Sequence, residues 1–245
     1  MYFRPLPALS IACALLFAFL IGLGVWQLQR LQWKLGLIAE VNRNMQAKPV
    51  RFDDGGHLYW EPQTDYLHMT GTGRFDNSKE AYVFAIGPEG GPVYHVIVPF
   101  RTTDGQVYLV DRGIVPRDMK NPATRPAGIR NGITTVTGIW RWAEAPGAFT
   151  PKPDLAHRIW FFKDALGIAR ADGITLWEPE GGLIEADATP NPGGWPRGGQ
   201  TVVSFRNEHL QYAITWFLMA AALLGVYLAY HASRGRLGWR VRTRF

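Results

Sequence analysis

The sequence predicts an α+β membrane protein in which two transmembrane helices flank a mainly antiparallel β extracytoplasmic domain. Residues Ala8 to Leu28 and Leu210 to Tyr230 form two uncharged runs of 21 residues each, and about 20 helical residues cross a bilayer core. The 245 residues include 27 Gly and 17 Pro, which excludes a long helical bundle between those runs. In that interval, short stretches rich in Val, Ile, Tyr, Phe and Trp alternate with Gly and Pro clusters, the pattern of strands and turns.

The first run is too long for the apolar core of a cleaved signal, and no small-residue cleavage box precedes Trp26 and Gln27. Beyond Leu28, the residues Leu31, Leu35, Ile38, Val41 and Met45 continue at helical spacing with no Pro before Pro49. The first helix is therefore expected to run from about Ala8 to Met45. At ~1.5 Å per residue it would be ~57 Å long and project past the membrane to dock on the domain that follows. Residues 1–7 then form an N-terminal tail, 8–28 the first span, 46–207 a β-rich domain, 210–230 the second span and 231–245 a basic tail.

Charge sets the expected orientation. Arg234, Arg236, Arg240, Arg242 and Arg244 follow the second span with no acid among them, so the C-terminus is expected in the cytoplasm. Two spans bring the N-terminus to the same side. Residues 30–208 balance 20 basic against 20 acidic side chains, so the net charge of +6 resides in the two tails. The basic balance therefore speaks for membrane topology rather than nucleic-acid binding.

Strands are expected at Tyr66–Phe75, Glu80–Ile86, Val93–Phe100, Gln106–Val115, Ile133–Trp142, Ile159–Phe162, Gly182–Ala186 and Thr201–Arg206, with a short helix over Lys163–Ala171. Neighbouring stretches lie close enough for hairpins, which predicts an antiparallel sheet curled toward a barrel. Asp111-Arg112-Gly113 reads as a local ion pair at a turn ending a strand.

The chain has no His-Glu-x-x-His, no Gly-x-Ser-x-Gly and no phosphate-binding loop, so nothing points to an enzyme. The single cysteine, Cys13, excludes a Cys-x-x-Cys pair. The six histidines, at 57, 68, 95, 157, 209 and 231, include no pair at close ligand spacing. The informative place is where the membrane pair meets the outer domain. His209, Tyr212 and Trp216 share one helix face at i, i+3 and i+7, and Trp26, Gln27 and Arg30 lie at the same membrane depth on the first helix. A neutral imidazole on an apolar, aromatic face can serve as an axial haem ligand, and Arg30 can pair with haem propionates. The competing reading makes the aromatics interfacial anchors and His209 a surface residue. His231 lies ~33 Å from His209 along the helix, so the two cannot grip one haem, and it reads as an interfacial residue. Ala18-x-x-x-Gly22 and Ala221-x-x-x-Gly225 offer close helix packing.

These residues resemble the surfeit-locus protein one family, assembly factors for cytochrome c oxidase. The resemblance rests on four clusters in order, and it covers nearly the whole chain. The first is Gly24-Val25-Trp26-Gln27-Leu28-Gln29-Arg30 with Trp33-Lys34. The second is Gly91-Pro92-Val93 with Leu109-Val110-Asp111-Arg112-Gly113-Ile114-Val115-Pro116. Gly138-Ile139-Trp140-Arg141 with Trp160-Phe161-Phe162-Lys163-Asp164 makes the third, and Gly198-Gly199-Gln200-Thr201 with Arg206-Asn207-Glu208-His209-Leu210-Gln211-Tyr212 the fourth. Ile114 stands where the family often has Trp, and Asp111 where it often has Asn.

The resemblance implies transient binding of haem a and its delivery to oxidase subunit I, with His209 as the axial ligand of the haem iron. Trp26, Gln27, Arg30, Tyr212 and Trp216 would shape the pocket. The partners it implies are cytochrome c oxidase subunit I, haem a synthase and the lipid bilayer of a bacterial inner membrane, and no nucleic acid. The alternative is a cofactor-free scaffold that stabilises a subunit I intermediate.

Overall fold

The computed structural model describes residues 2–52, 64–179, 181–201, 203, 205 and 207–238. In chain order the elements are β1 (Tyr2–Phe3), α1 (Pro7–Gln46), β2 (Val50–Arg51), β3 (His68–Phe75), β4 (Ala81–Ile86), β5 (Pro92–Thr102), β6 (Val107–Pro116), β7 (Thr134–Trp142), β8 (Ile159–Trp160), α2 (Ala165–Ala171), β9 (Gly182–Ala186), α3 (His209–Ser233) and β10 (Leu237–Gly238). They form two compact units, Met1–Ala39 with Ser204–Phe245, and Glu40–Val203.

In the first unit, α1 and α3 are both long and apolar enough to cross a membrane. Ile11, Leu15, Phe19, Leu218 and Val226 lie exposed, an apolar exterior that a lipid surround would cover. The helices meet through Leu20, Ala213 and Ala220, all buried, and through Gly24, where an added Cβ would stand 2.5 Å from the Phe217 ring. The two small-residue pairs expected to bring the helices together do not do so, because Gly22 and Gly225 face open space. Close approach is set by one glycine against one aromatic ring. At the far end, β1 and β10 pair antiparallel, with Tyr2 opposite Gly238 and Phe3 opposite Leu237.

The second unit is a curled sheet of order β2-β3-β7-β9-β6-β5-β4-β8, with β3 also paired to β5. That additional pairing closes β3, β7, β9, β6 and β5 into a ring, so the expected curl becomes a small barrel. Most pairings are antiparallel, whereas β6–β9, β4–β8 and β2–β3 run parallel. The interior is filled from every barrel strand by Met69, Phe100, Tyr108, Val110, Val136, Trp140 and Ile184. Strand alternation sends the intervening Ile97, Leu109 and Leu183 to the other face, where Ala165 and Ile168 of α2 cover them. Asp164 caps α2 by accepting the Gly167 N–H at 2.8 Å.

The strand expected over Thr201–Arg206 lies partly outside the described residues. Thr201, Val203 and Phe205 are not in a strand, and the other three residues lie outside those described. The Asp111-Arg112-Gly113 reading also changes. These residues lie inside β6, at a bulge where the register with β5 shifts between His95–Ile114 and Ile97–Asp111. Gly113 makes the bulge possible: its φ is 108°, and a Cβ there would meet the Arg197 carbonyl oxygen at 2.0 Å.

Candidate functional site

His209 opens α3, where polar Asn207-Glu208 gives way to the apolar run. Its Nδ1 lies 2.7 Å from Gln27 Oε1 on α1. A carbonyl oxygen only accepts, so Nδ1 carries the hydrogen, and in the neutral imidazole Nε2 then keeps its lone pair. Among the described residues Nε2 has no partner. One ring nitrogen is thus oriented by a second residue and the other is open.

The remaining expected site residues fall into two groups. Tyr212 and Trp216 follow His209 along α3, Tyr212 exposed and Trp216 half-buried. Trp26 is 54% exposed on α1, beside Gln27. Among the described residues no ring contact joins Trp26, Tyr212 and Trp216, so they present separate apolar surfaces and not a stacked cluster. Arg30 lies with its guanidinium carbon 3.9 Å over the Trp33 ring, a cation–π contact within α1. The structure thus joins Gln27 to His209 directly and gives Arg30 a partner, Trp33, that sequence spacing did not assign. That pairing was legible as an i, i+3 spacing on one helix. Among the described residues no group of three or more His, Cys, Asp or Glu side chains could hold a metal ion.

His231, at the other end of α3, is not a plain interfacial residue. It is fully buried. Its Nδ1 donates to the Tyr227 carbonyl at 2.9 Å, and its Nε2 accepts the Leu6 N–H at 3.4 Å. Ser10 and Tyr227 hydroxyls lie 2.6 Å apart beside it, and Phe3 packs its ring 5.4 Å from the imidazole. Both ring nitrogens are engaged, which leaves none for a ligand.

The sheet unit holds a second polar centre that the local ion-pair reading missed. Asp111, 2% exposed, takes His95 Nδ1 at 2.7 Å and Lys163 Nζ at 3.0 Å on Oδ2, and the Gly113 N–H at 2.9 Å on Oδ1. Lys163 also pairs with Glu185. Burial alone would raise the Asp111 pKa, but the Lys163 and His95 charges and hydrogen bonds hold it well below the usual carboxylate range. Burial alone would lower the Lys163 ammonium, but Asp111 and Glu185 hold it above its ordinary value. The cluster is closed and satisfied, and it ties β5, β6 and β9 to the segment before α2.

The SURF1 family profile matches residues 14–221. Surfeit locus protein 1 of Homo sapiens is 38% identical over 218 residues, covering 82% of this chain and 70% of its own length. The Xenopus tropicalis protein of the same name is 37% identical over 221 residues, covering 82% and 68%. A SURF1-like protein of Monosiga brevicollis is 34% identical over 227 residues, covering 84% and 81%. Trp26, Gln27, Arg30, His209, Tyr212 and Trp216 all fall inside the matched span, and His231 falls outside it.

Proposed function

The chain belongs to the SURF1 family, and from that membership we propose that it is a membrane assembly factor for cytochrome c oxidase that binds haem a and assists its insertion into subunit I. The observation that carries the haem reading is the His209 Nδ1–Gln27 Oε1 hydrogen bond of 2.7 Å, which leaves Nε2 as an open axial donor. The residues fit the cargo. Gln27 fixes the imidazole tautomer and ring orientation, and the exposed faces of Trp26 and Tyr212 offer apolar surface to a macrocycle. When bound, haem a supplies an iron that accepts one imidazole here. A single protein ligand such as His209 would suit a carrier that must pass the haem on. Arg30 can release Trp33 to meet a propionate, and the exposed site of this contact makes such an exchange inexpensive.

On this reading the protein resides in a bacterial inner membrane with both tails in the cytoplasm, supported by the five arginines after the second span, whose bias outweighs that of Arg30 and Lys34 over Arg4 across the first. Haem a synthase is the expected source and subunit I the expected acceptor. No chemistry on the haem is assigned to the chain, which acts as a carrier and not as an enzyme.

Coexpression with haem a synthesis, followed by purification and absorption spectroscopy, tests the reading. The wild-type protein is expected to carry a haem a spectrum, and His209→Ala to lose it. An unchanged haem load in His209→Ala overturns the ligand assignment.

A second reading is favoured by the separation of Trp26, Tyr212 and Trp216, whose rings make no contact with one another among the described residues. A scaffold that stabilises a subunit I intermediate needs no cofactor. Colourless protein that still co-purifies with subunit I would establish it.

A further inference from the structure

On the opposite face of β6 from Asp111, the next residue is buried without a counter-ion. Arg112 is 2% exposed, with its guanidinium carbon 4.8 Å over the Phe75 ring. Its Nη2 donates to the Gly128 carbonyl at 2.6 Å and to Asn191 Oδ1 at 3.2 Å. Its Nη1 is buried with no hydrogen-bond partner. Arg130 stands on the same cavity wall with its Nε likewise buried and unpartnered, while its Nη1 donates to Thr134 Oγ1 at 3.0 Å and its Nη2 to the Pro190 carbonyl at 3.4 Å.

These groups line a cavity of about 220 Å³, together with Thr135 and Thr137 of β7. Among the described residues neither guanidinium makes an ion pair. Asp187 also lines the cavity, with Oδ1 accepting the Thr189 N–H at 2.9 Å. Glu80, the acid whose charge acts on Arg112, is already paired with Arg125 at 2.6 Å.

A buried cation is stable when it is paired and hydrogen-bonded, and an orphaned donor costs its full desolvation. Two guanidinium edges with an unmet N–H each have the donor pattern that oxyanions accept. We propose that this cavity in the sheet unit is a binding site for a small oxyanion of the carboxylate or phosphate class, gripped by Arg112 Nη1 and Arg130 Nε. Its volume equals several water shares of ~30 Å³, enough for one such ion with part of its hydration. Burial lowers the Arg112 guanidinium to about 10; Glu80 opposes that fall, and Arg130 and Arg125 add to it, as expected of positive charge gathered without compensation. The site is independent of the haem reading, since it uses none of the same residues.

Calorimetric titration of the detergent-solubilised full chain provides the test, with inorganic phosphate in one arm and acetate in the other. Ionic strength is held constant with chloride. At least one anion is expected to bind saturably at one site per chain, and the arm that saturates identifies the subclass. Arg130→Gln is expected to weaken that binding about tenfold or more, because a charge-assisted bond is removed. Arg130 is half-buried at the wall and not in the core, so this variant keeps the test informative if Arg112→Met fails to fold. An unchanged melting temperature of Arg130→Gln without anion separates lost binding from lost structure. Absence of saturable binding in both wild-type arms, or equal affinity in Arg130→Gln, overturns the proposal.

Discussion

Two histidines close the two ends of α3, and they are built to opposite specifications. His231 is fully buried and uses both ring nitrogens on the chain itself, through Tyr227 and Leu6. His209 is half-buried and uses only Nδ1, on Gln27, leaving Nε2 open. The same side chain on the same helix is a tie at one end and a donor at the other. What separates them is the count of partners, not residue type or exposure to lipid. The sheet unit repeats the contrast on the two faces of β6, where Asp111 is satisfied by two side chains and one backbone N–H while Arg112 keeps an unmet N–H. Closed centres hold the fold; open ones are where a ligand can enter.

The largest expected effect breaks the contrast at its open end. His209→Ala removes the only unengaged imidazole nitrogen of α3, so the haem a absorption of the co-expressed, purified protein should fall to background. His231→Ala, in parallel, should leave that absorption in place. Equal loss in both would mean that the two ends do not differ in the way their hydrogen bonds indicate.

The next effect sharpens the contrast at a closed centre. Lys163→Met leaves Asp111 and Glu185 buried without their shared cation, a change that costs about 3–5 kcal/mol when one partner of a buried pair is removed. Thermal melts of the solubilised chain should show the loss. Asp111 has a depressed folded pKa, so its contribution is present above the ordinary value of 3.8 and is lost as pH falls below it toward the folded value. Without Lys163, burial dominates and the Asp111 pKa rises. The acid loss of stability in the variant should therefore begin at higher pH than in the wild type. A variant with the wild-type acid profile would show that Lys163 does not set the state of Asp111.

A smaller effect probes how the open end is held. Gln27→Leu removes the acceptor that pins the His209 tautomer, without touching the ligand itself. Loss of such an orienting partner typically weakens metal affinity about 10–100-fold. Haem retention during stepwise dilution should fall accordingly, short of the complete loss expected for His209→Ala.

Much of this was legible in the chain before the structure. The two long apolar helices, the extension of α1 past its apolar run, and the strands from β3 to β7 follow from local period and from turn residues, which act within a few positions. The expectation of two antiparallel helices puts Gln27 and His209 side by side, and the structure joins them by a hydrogen bond. What local pattern does not encode is pairing across distance. The β3–β5 contact that closes the barrel, the parallel run of β9 beside β6, and the union of two-residue strands from opposite ends of the chain all depend on tertiary packing. Asp111-Arg112 looked like a self-contained ion pair because adjacent opposite charges suggest one. On a strand they point to opposite faces, and each found partners far along the chain. Thr201–Arg206 has the β-branched and aromatic composition of a strand, yet its described residues are not paired, since composition does not supply a neighbouring edge.

The smallest effect tests the closed end directly. In His231→Phe the ring volume stays close to that of imidazole, and the stacking against Phe3 and Tyr227 can persist. What disappears is the acceptor for the Leu6 N–H and the donor to the Tyr227 carbonyl. The carbonyl keeps its helical hydrogen bond, so it loses only a second partner. The Leu6 contact is long, at 3.4 Å, so its loss belongs at the low end of the range for an unmet buried group, about 1 kcal/mol. A modest fall in melting temperature with an unchanged haem a spectrum is the expected result. Because the ends of α3 are separated by the whole helix, a change in haem load on His231→Phe would mean that the tie at one end governs the donor at the other, and the division between closed and open centres would have to be given up.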